Sequence, residues 1–349
     1  MLDWLKKAVE ENASDIFIGA GRCVSFRKRG AIEKKTEKPL TPSDTEELIM
    51  SLYELGKRSI DKFLEKGDDD FPVTIPGLAR FRVNTYRQRS TLASVIRVVM
   101  FNVPNYEDLL IPDTVMNIAS ETNGLVLVTG PAGGGKTTTL ACIIDAINKS
   151  RNCHIITLEE PIEYLHRDNR SLVSQREVPS DTESYATALR ACLRQVPDII
   201  VLGEMRDFET IKSALTAAET GHLVISTLHT IGAAKTIDRI IDIFPPNQQQ
   251  QIRIQLSMAL RMVVSQKLIQ NKEGKTIPVF EVMTFNNAIS NLIREAKTHQ
   301  IDNVIKTSAS EGMINMDSYL LDLYKKGEIT KETAIAEAIN PDMMIKQLG

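Results

Sequence analysis

Two kinds of residue in this chain are spaced for chemistry on phosphates. One is the loop Gly130-Pro-Ala-Gly-Gly-Gly-Lys-Thr137. Gly130, Gly133, Gly134 and Gly135 let successive backbone N–H groups turn inward, where they can surround a polyphosphate. Pro131 shapes the loop, Lys136 would reach the β- and γ-phosphates, and the Thr137 hydroxyl would ligate Mg²⁺, with Thr138 beside it. The other kind is a carboxylate at the end of an apolar run. Ile155-Ile-Thr-Leu158 leads into Glu159 and Glu160, and Ile199-Ile-Val-Leu202 leads through Gly203 into Glu204. An apolar run ending in an acid is what a Walker B segment requires, so Glu204 would orient a metal and its waters. The acids after Leu158 can hold a nucleophilic water or reach the metal. These patterns imply that the chain binds a nucleoside triphosphate.

Such residues need a scaffold. Leu125 to Val128 reads as a buried strand and Thr137 to Ile147 as a helix, so the glycine loop joins strand to helix, the context this motif demands. Strands are expected at 155–158, 197–207 and 222–230, the last with His222 at one end and His229 at the other. A strand ending in polar residues beside the nucleotide is where a γ-phosphate sensor belongs, though either histidine could be purely structural. Helices are expected at 184–195 and 208–220, and Asn247 to Lys267 reads as one long amphipathic helix. A last strand is expected at 276–283, with helices from Asn286 on. The first 100 residues read as a small α/β domain ending in three strand-like runs, 71–75, 79–88 and 91–99. Alternation in the middle run puts Arg80 and Arg82 on one face, to which Arg87, Arg89 and Arg97 add. This is either a solvated face or a set of arginines aimed at the phosphates of a neighbouring subunit's nucleotide. Pro104 marks 101–108 as a linker, which gives domains at 1–100 and 109–285 and a helical region at 286–349.

Composition narrows the function. A chain of 349 residues has room for about two domains, and 42% hydrophobic with 25% charged residues is ordinary for a globular protein. A net charge of −3 and a pI near 6.1 argue against a nucleic-acid coat. Cys23, Cys142, Cys153 and Cys192 show no C-x-x-C spacing, so neither zinc nor a disulfide framework is expected, and a reducing cytosol is the simpler setting. No apolar run approaches membrane-spanning length, so membrane association is expected through a partner.

Four segments in order resemble one family, the secretion ATPases of type II secretion and type IV pili. Gly130 to Thr137 is similar to its Walker A, Thr157-Leu-Glu-Glu-Pro-Ile-Glu163 to its Asp box, Gly203-Glu-Met-Arg-Asp207 to its Walker B, and Thr220 to Thr230 to its His box. The resemblance implies a PAS-like α/β amino-terminal domain, a RecA-like P-loop ATPase domain and a helical carboxyl-terminal tail. It implies ATP and Mg²⁺ as cofactors, Glu159 as catalytic base, Glu204 as direct or second-sphere metal partner, and His222 and His229 coupling the γ-phosphate to domain movement. It further implies a homo-hexamer in which Arg82 and Arg97 reach the neighbour's nucleotide. The partners implied are an inner-membrane pilus platform protein and, indirectly, pilin, with the motor on the cytoplasmic side of the membrane.

Within the family the chain resembles the pilus-retraction members, which drive pilus disassembly and twitching motility. Its amino-terminal portion is short, it lacks a four-cysteine insertion, and Asn287-Ala-Ile-Ser-Asn-Leu-Ile-Arg-Glu295 is similar to a retraction motif. It departs from the family in Glu160 for the usual Asp, Ser290 for the motif's first arginine, and Val196 for an Asp. The alternatives are a pilus-assembly or type II secretion ATPase, and a nucleotide-gated scaffold with little turnover.

Overall fold

The computed structural model describes residues 1–28, 30–99 and 103–348. Residues 100–102, where the expected domain end meets the start of the expected linker, lie outside the described residues, as does Gly349. The chain divides near residue 102 into two compact units.

The first unit runs α1 (Leu2–Glu10), β1 (Asp15–Gly19), β2 (Ser25–Lys28), β3 (Ala31–Lys34), α2 (Pro42–Leu55), α3 (Asp61–Lys66), β4 (Asp68–Ile75), β5 (Ala79–Gln88) and β6 (Thr91–Val99). Its strands form one antiparallel sheet in the order β3-β2-β1-β6-β5-β4. A capping box starts α2: Thr41 Oγ1 accepts from Asp44 N, Asp44 Oδ2 accepts from Thr41 N, and Pro42 follows. Alternation in β5 buries Ala79, Phe81 and Val83 against Ile16, Phe26 and Ile49, and turns Arg80 and Arg82 to the other face. Strand β3 was not expected from sequence. All four of its residues are exposed, so it carries no apolar alternation to detect.

In the second unit, α4 (Asp113–Met116) precedes β7 (Gly124–Thr129), α5 (Lys136–Ser150), β8 (His154–Glu159), β9 (Leu172–Glu177), α6 (Tyr185–Cys192) and β10 (Ile199–Leu202). Then follow α7 (Phe208–Glu219), β11 (Leu223–Leu228), α8 (Ala233–Asp242), α9 (Pro246–Ala259), β12 (Leu260–Gln270) and β13 (Thr276–Thr284). Five further helices close the chain: α10 (Asn287–Arg294), α11 (Ile301–Thr307), α12 (Met316–Lys325), α13 (Lys331–Glu337) and α14 (Pro341–Leu348). The sheet order is β13-β12-β7-β11-β10-β8-β9, parallel except for β13, which runs antiparallel at the edge. Its central strands are buried on both faces, which is why they read as unbroken apolar runs. Leu125 and Leu127 point into a core with α6 to α10, while Val126 and Val128 point into another with α5.

The long helix expected at 247–267 is corrected here. Helix α9 stops at Ala259, and Leu260 begins a strand that pairs with both β7 and β13. Leu260-Arg-Met-Val-Val264 satisfies a helical period as well as a buried strand, and pairing on both sides decides for the strand. Strand β9, also unexpected, takes the opposite sheet edge beside β8.

Candidate functional site

In a parallel sheet every strand delivers its carboxyl end to the same edge, and helices begin there. Most of the residues singled out for chemistry come together at that edge. Strand β7 ends at Thr129, and the glycine loop carries the chain into α5. At Gly130 the loop passes so close to β12 that an added Cβ would lie 2.0 Å from the Gln266 carbonyl oxygen. Gly135 takes φ 83°, a left-handed conformation that costs glycine nothing, and it starts α5 with no side-chain cap. The first N–H groups of α5 are therefore left facing the loop, together with the positive end of the helix. Lys136 is buried, and its ammonium donates to Gly130 O at 2.9 Å and Pro131 O at 2.8 Å, which holds the cation inside the loop. Thr137 and Thr138 lie half-buried in the first turn. This donor set fits a polyphosphate.

Gly133 differs from the other loop glycines in the space around it. It is exposed, and an added Cβ there would meet nothing within 4 Å. Glycine answers here to backbone conformation. Gly134 N donates to Pro131 O at 3.1 Å, closing a tight turn whose third residue is Gly133 at φ 73°. A turn with positive φ at that position favours glycine. Gly133 thus reverses the chain at the outside of the loop, and Gly134, which is buried, and Gly135 carry it back inward.

Glu159 ends β8. Thr157 Oγ1 donates to its Oε1 at 2.6 Å and Gln175 Nε2 donates to the same oxygen at 3.0 Å. Glu204 follows β10, with Arg206 Nε 2.6 Å from one carboxylate oxygen and His229 Nε2 3.4 Å from the other. Met205 N donates to Thr227 O, and Thr227 Oγ1 donates to Gly203 O, so the tips of β10 and β11 are tied together. Tyr185 lies among these acids. Burial, with the charges of Glu204, Glu160 and Glu159, pushes its phenol well above the ordinary tyrosine range, against a smaller opposing pull from Arg206.

His222 is not brought to this edge. It precedes β11, its carbonyl accepts from Gly124 N at the start of β7, and its Nδ1 lies 3.1 Å from Ala217 O. Six strand residues separate it from His229, a rise of about 20 Å. The two histidines therefore cannot touch one phosphate together, and any coupling that involves His222 runs along β11.

Arg82 and Arg97 belong to the first unit and are register partners on β5 and β6. Arg82 Nη2 lies 2.6 Å from Asp70 Oδ2, an exposed pair. Arg97 Nε lies 3.0 Å from Asp15 Oδ1, and Asp15 is buried while Arg97 is exposed. Arg87 donates to Leu64 O at 3.4 Å.

Three contributors escaped the sequence reading. Gln175 orients Glu159 from the unexpected strand β9. Gln266 on β12 donates from Nε2 to Gly134 O at 2.7 Å, which braces the loop from outside the motif. Beside Gly135 opens a cavity of about 220 Å³, walled by Leu109, Ile111, Thr138, Leu268, Pro278 and Phe280. Apolar walls next to a phosphate loop suit a flat heterocycle. No local pattern signalled these, because each depends on strands pairing across long stretches of chain.

Comparison with known proteins agrees with this geometry. The chain is 42% identical over 336 residues, 96% of its length and 97% of the relative's, to the type IV pilus retraction ATPase PilT of Pseudomonas aeruginosa. It is 41% identical over 320 residues to a twitching motility protein of Neisseria gonorrhoeae, covering 91% of this chain and 85% of that one. The solved structure of a pilus retraction motor PilT with bound ADP superposes with a TM-score of 0.90 at 43% identity, covering 99% of both chains. The type II/IV secretion system protein family matches residues 2–318, and the chain belongs to that family.

Proposed function

We propose that this chain is an ATP-hydrolysing motor that powers retraction of a type IV pilus, working as a ring of six copies. The observation that carries the reading is the gathering of Lys136, Glu159, Glu204 and His229 at one sheet edge around an uncapped helix start. Whole-length likeness to retraction relatives gives that chemistry its setting.

The glycine loop, Lys136, Thr137 and Thr138 hold the ATP phosphates, and the cavity beside Gly135 takes the base. Thr137 and Glu204 would hold Mg²⁺. Their hydroxyl and carboxylate oxygens are the hard donors this ion takes, and it keeps several waters rather than needing an all-protein cage. Bound there, Mg²⁺ supplies charge neutralisation on the phosphate oxygens. Glu159, fixed by Thr157 and Gln175, accepts a proton from the attacking water. His229 holds the second oxygen of Glu204 and ties that carboxylate to the tip of β11.

Arg82 and Arg97 complete the site of the next subunit. A contact that needs the γ-phosphate makes ATP favour a closed interface and hydrolysis release it. Closing in turn around the ring displaces a platform protein in the membrane, and pilin subunits are drawn back. Among the described residues no helix is long and apolar enough to cross a membrane, and the proposal places the motor on the cytoplasmic side, attached through that platform. Cells lacking this chain should carry abundant pili yet not twitch, and the parent gene should restore movement where Lys136→Ala does not. Normal twitching in the deletion strain would refute the retraction role.

A further inference from the structure

Tyr185 opens α6, whose start is fixed by Ser184 Oγ accepting from Thr187 N at 3.2 Å. From there the phenol reaches the tips of β8 and β10. A Cβ added at Gly203 would lie 2.8 Å from the Tyr185 hydroxyl oxygen, 3.3 Å from Leu158 O and 3.4 Å from Glu159 Cα. Gly203 is not among the residues with positive φ, so its lack of a side chain answers to space rather than backbone conformation. That space belongs to the hydroxyl, at the seam between the strand bearing Glu159 and the strand leading to Glu204.

The charged groups acting on this hydroxyl are the carboxylates of Glu204, Glu160 and Glu159 and the guanidinium of Arg206. Arg206 is already engaged with Glu204 at 2.6 Å. Ionised carboxylates only accept hydrogen bonds, so the seam is rich in acceptors and poor in donors. Among the described residues no protein group takes the hydrogen bond of the phenol.

We propose that Tyr185 is a water-positioning residue, its hydroxyl donating a hydrogen bond to the water that Glu159 activates; this rests on the ATPase reading above. A water held by a carboxylate through one hydrogen is free to swing about that bond. A donor to one lone pair stops the swing and leaves the other lone pair for attack on phosphorus. Positioning of this kind acts on the chemical step and leaves nucleotide binding alone. Phenylalanine at 185 would keep the ring packed against the buried core and lose only the hydrogen bond.

The test compares ATP hydrolysis by the full-length parent with that of Tyr185→Phe and Tyr185→Met, alongside ADP binding and thermal melting. Both variants should lose about tenfold in kcat, the size of one hydrogen bond, with KM and ADP affinity unchanged and Tyr185→Phe melting with the parent. If Tyr185→Phe melts lower, the same loss is required at a temperature where both chains are folded. Parental kcat in Tyr185→Phe overturns the inference, and impairment of Tyr185→Met alone would then place the effect in the ring. A raised KM at unchanged kcat overturns it as well. An inactive parent refutes the proposed function itself, and the inference falls with it.

Discussion

His229 and His222 stand at the two ends of β11, and their surroundings differ. At the carboxyl end, His229 faces Glu204, with Arg206 on the other carboxylate oxygen. At the amino end, His222 leans on the Ala217 carbonyl, where α7 gives way to the strand. The same contrast holds along the whole sheet. Its carboxyl edge gathers helix starts, a cation inside a loop and acids held by short hydrogen bonds. Its amino edge gathers helix ends, as where α7 closes beside His222. Residue type does not separate the two histidines. Position on a parallel sheet does, because only one edge receives helix N-termini and strand tips together.

The difference between the edges is greatest if another copy of the chain completes the carboxyl edge. Arg82→Gln should lower turnover by about 10³ while ADP binding persists, the size expected of an arginine acting across an interface. Its Asp70 partner is exposed, so melting should barely move. Arg97→Gln should lower turnover similarly and also lower the melting temperature, because it strips a partner from buried Asp15. Unchanged turnover in either variant removes that arginine from the site.

Glu159→Gln should cost about 10² or more in kcat, the usual effect of losing a general base, with nucleotide affinity retained. Loss of binding instead would make Glu159 a structural prop.

The two histidines test the edges directly. His229→Ala should reduce turnover by about tenfold through a loosened Glu204, whereas His222→Ala should leave it within about twofold. A larger loss at His222 would break the contrast.

The smallest effect concerns Glu281 on β13, a buried acid beneath the start of α8. Ala233 N donates to its Oε1 at 2.8 Å, and Oε2 has no partner among the described residues. Burial pushes its pKa up to about 7. The folded state therefore holds a proton that the unfolded chain releases above about pH 4.5. That contribution is fully present below pH 4.5, is lost as pH rises through 7, and amounts to about 3 kcal/mol. Glu281→Gln should raise the melting temperature at pH 8 by a few degrees and change little at pH 5. Equal melting at pH 8 would place the acid's proton elsewhere.

Much of this site was legible because its parts are local. Gly130 to Thr137 carries its own strand, loop and helix signals, and Glu159 and Glu204 each end an apolar run. The glycine spacing does not say which glycine serves which need. Gly130 clears room for a neighbouring strand and Gly133 only turns the chain, a division that appears once β12 is in place. What stayed hidden depends on pairing between distant stretches. Gln266 braces the glycine loop only because 260–270 is a strand beside β7, where a helical period gave an equally good account. Gln175 reaches Glu159 only because a largely polar segment adds to the sheet edge. Tyr185 sits forty-eight positions from the loop's end by the numbering, and nothing in its own neighbourhood announces the acids it meets. The separation of His222 from His229 was legible too, since six extended residues hold the ends of a strand about 20 Å apart.

Hydrolysis at the carboxyl edge is what a motor requires of this chain. The most direct measurement is Mg²⁺-dependent ATP hydrolysis by the purified chain, beside Lys136→Ala and Glu204→Ala. Steady turnover in the parent, lost in both variants, is the predicted result. Tight ATP binding without turnover in the parent, even as assembled hexamers, would contradict it and leave a nucleotide-gated scaffold in place of a motor.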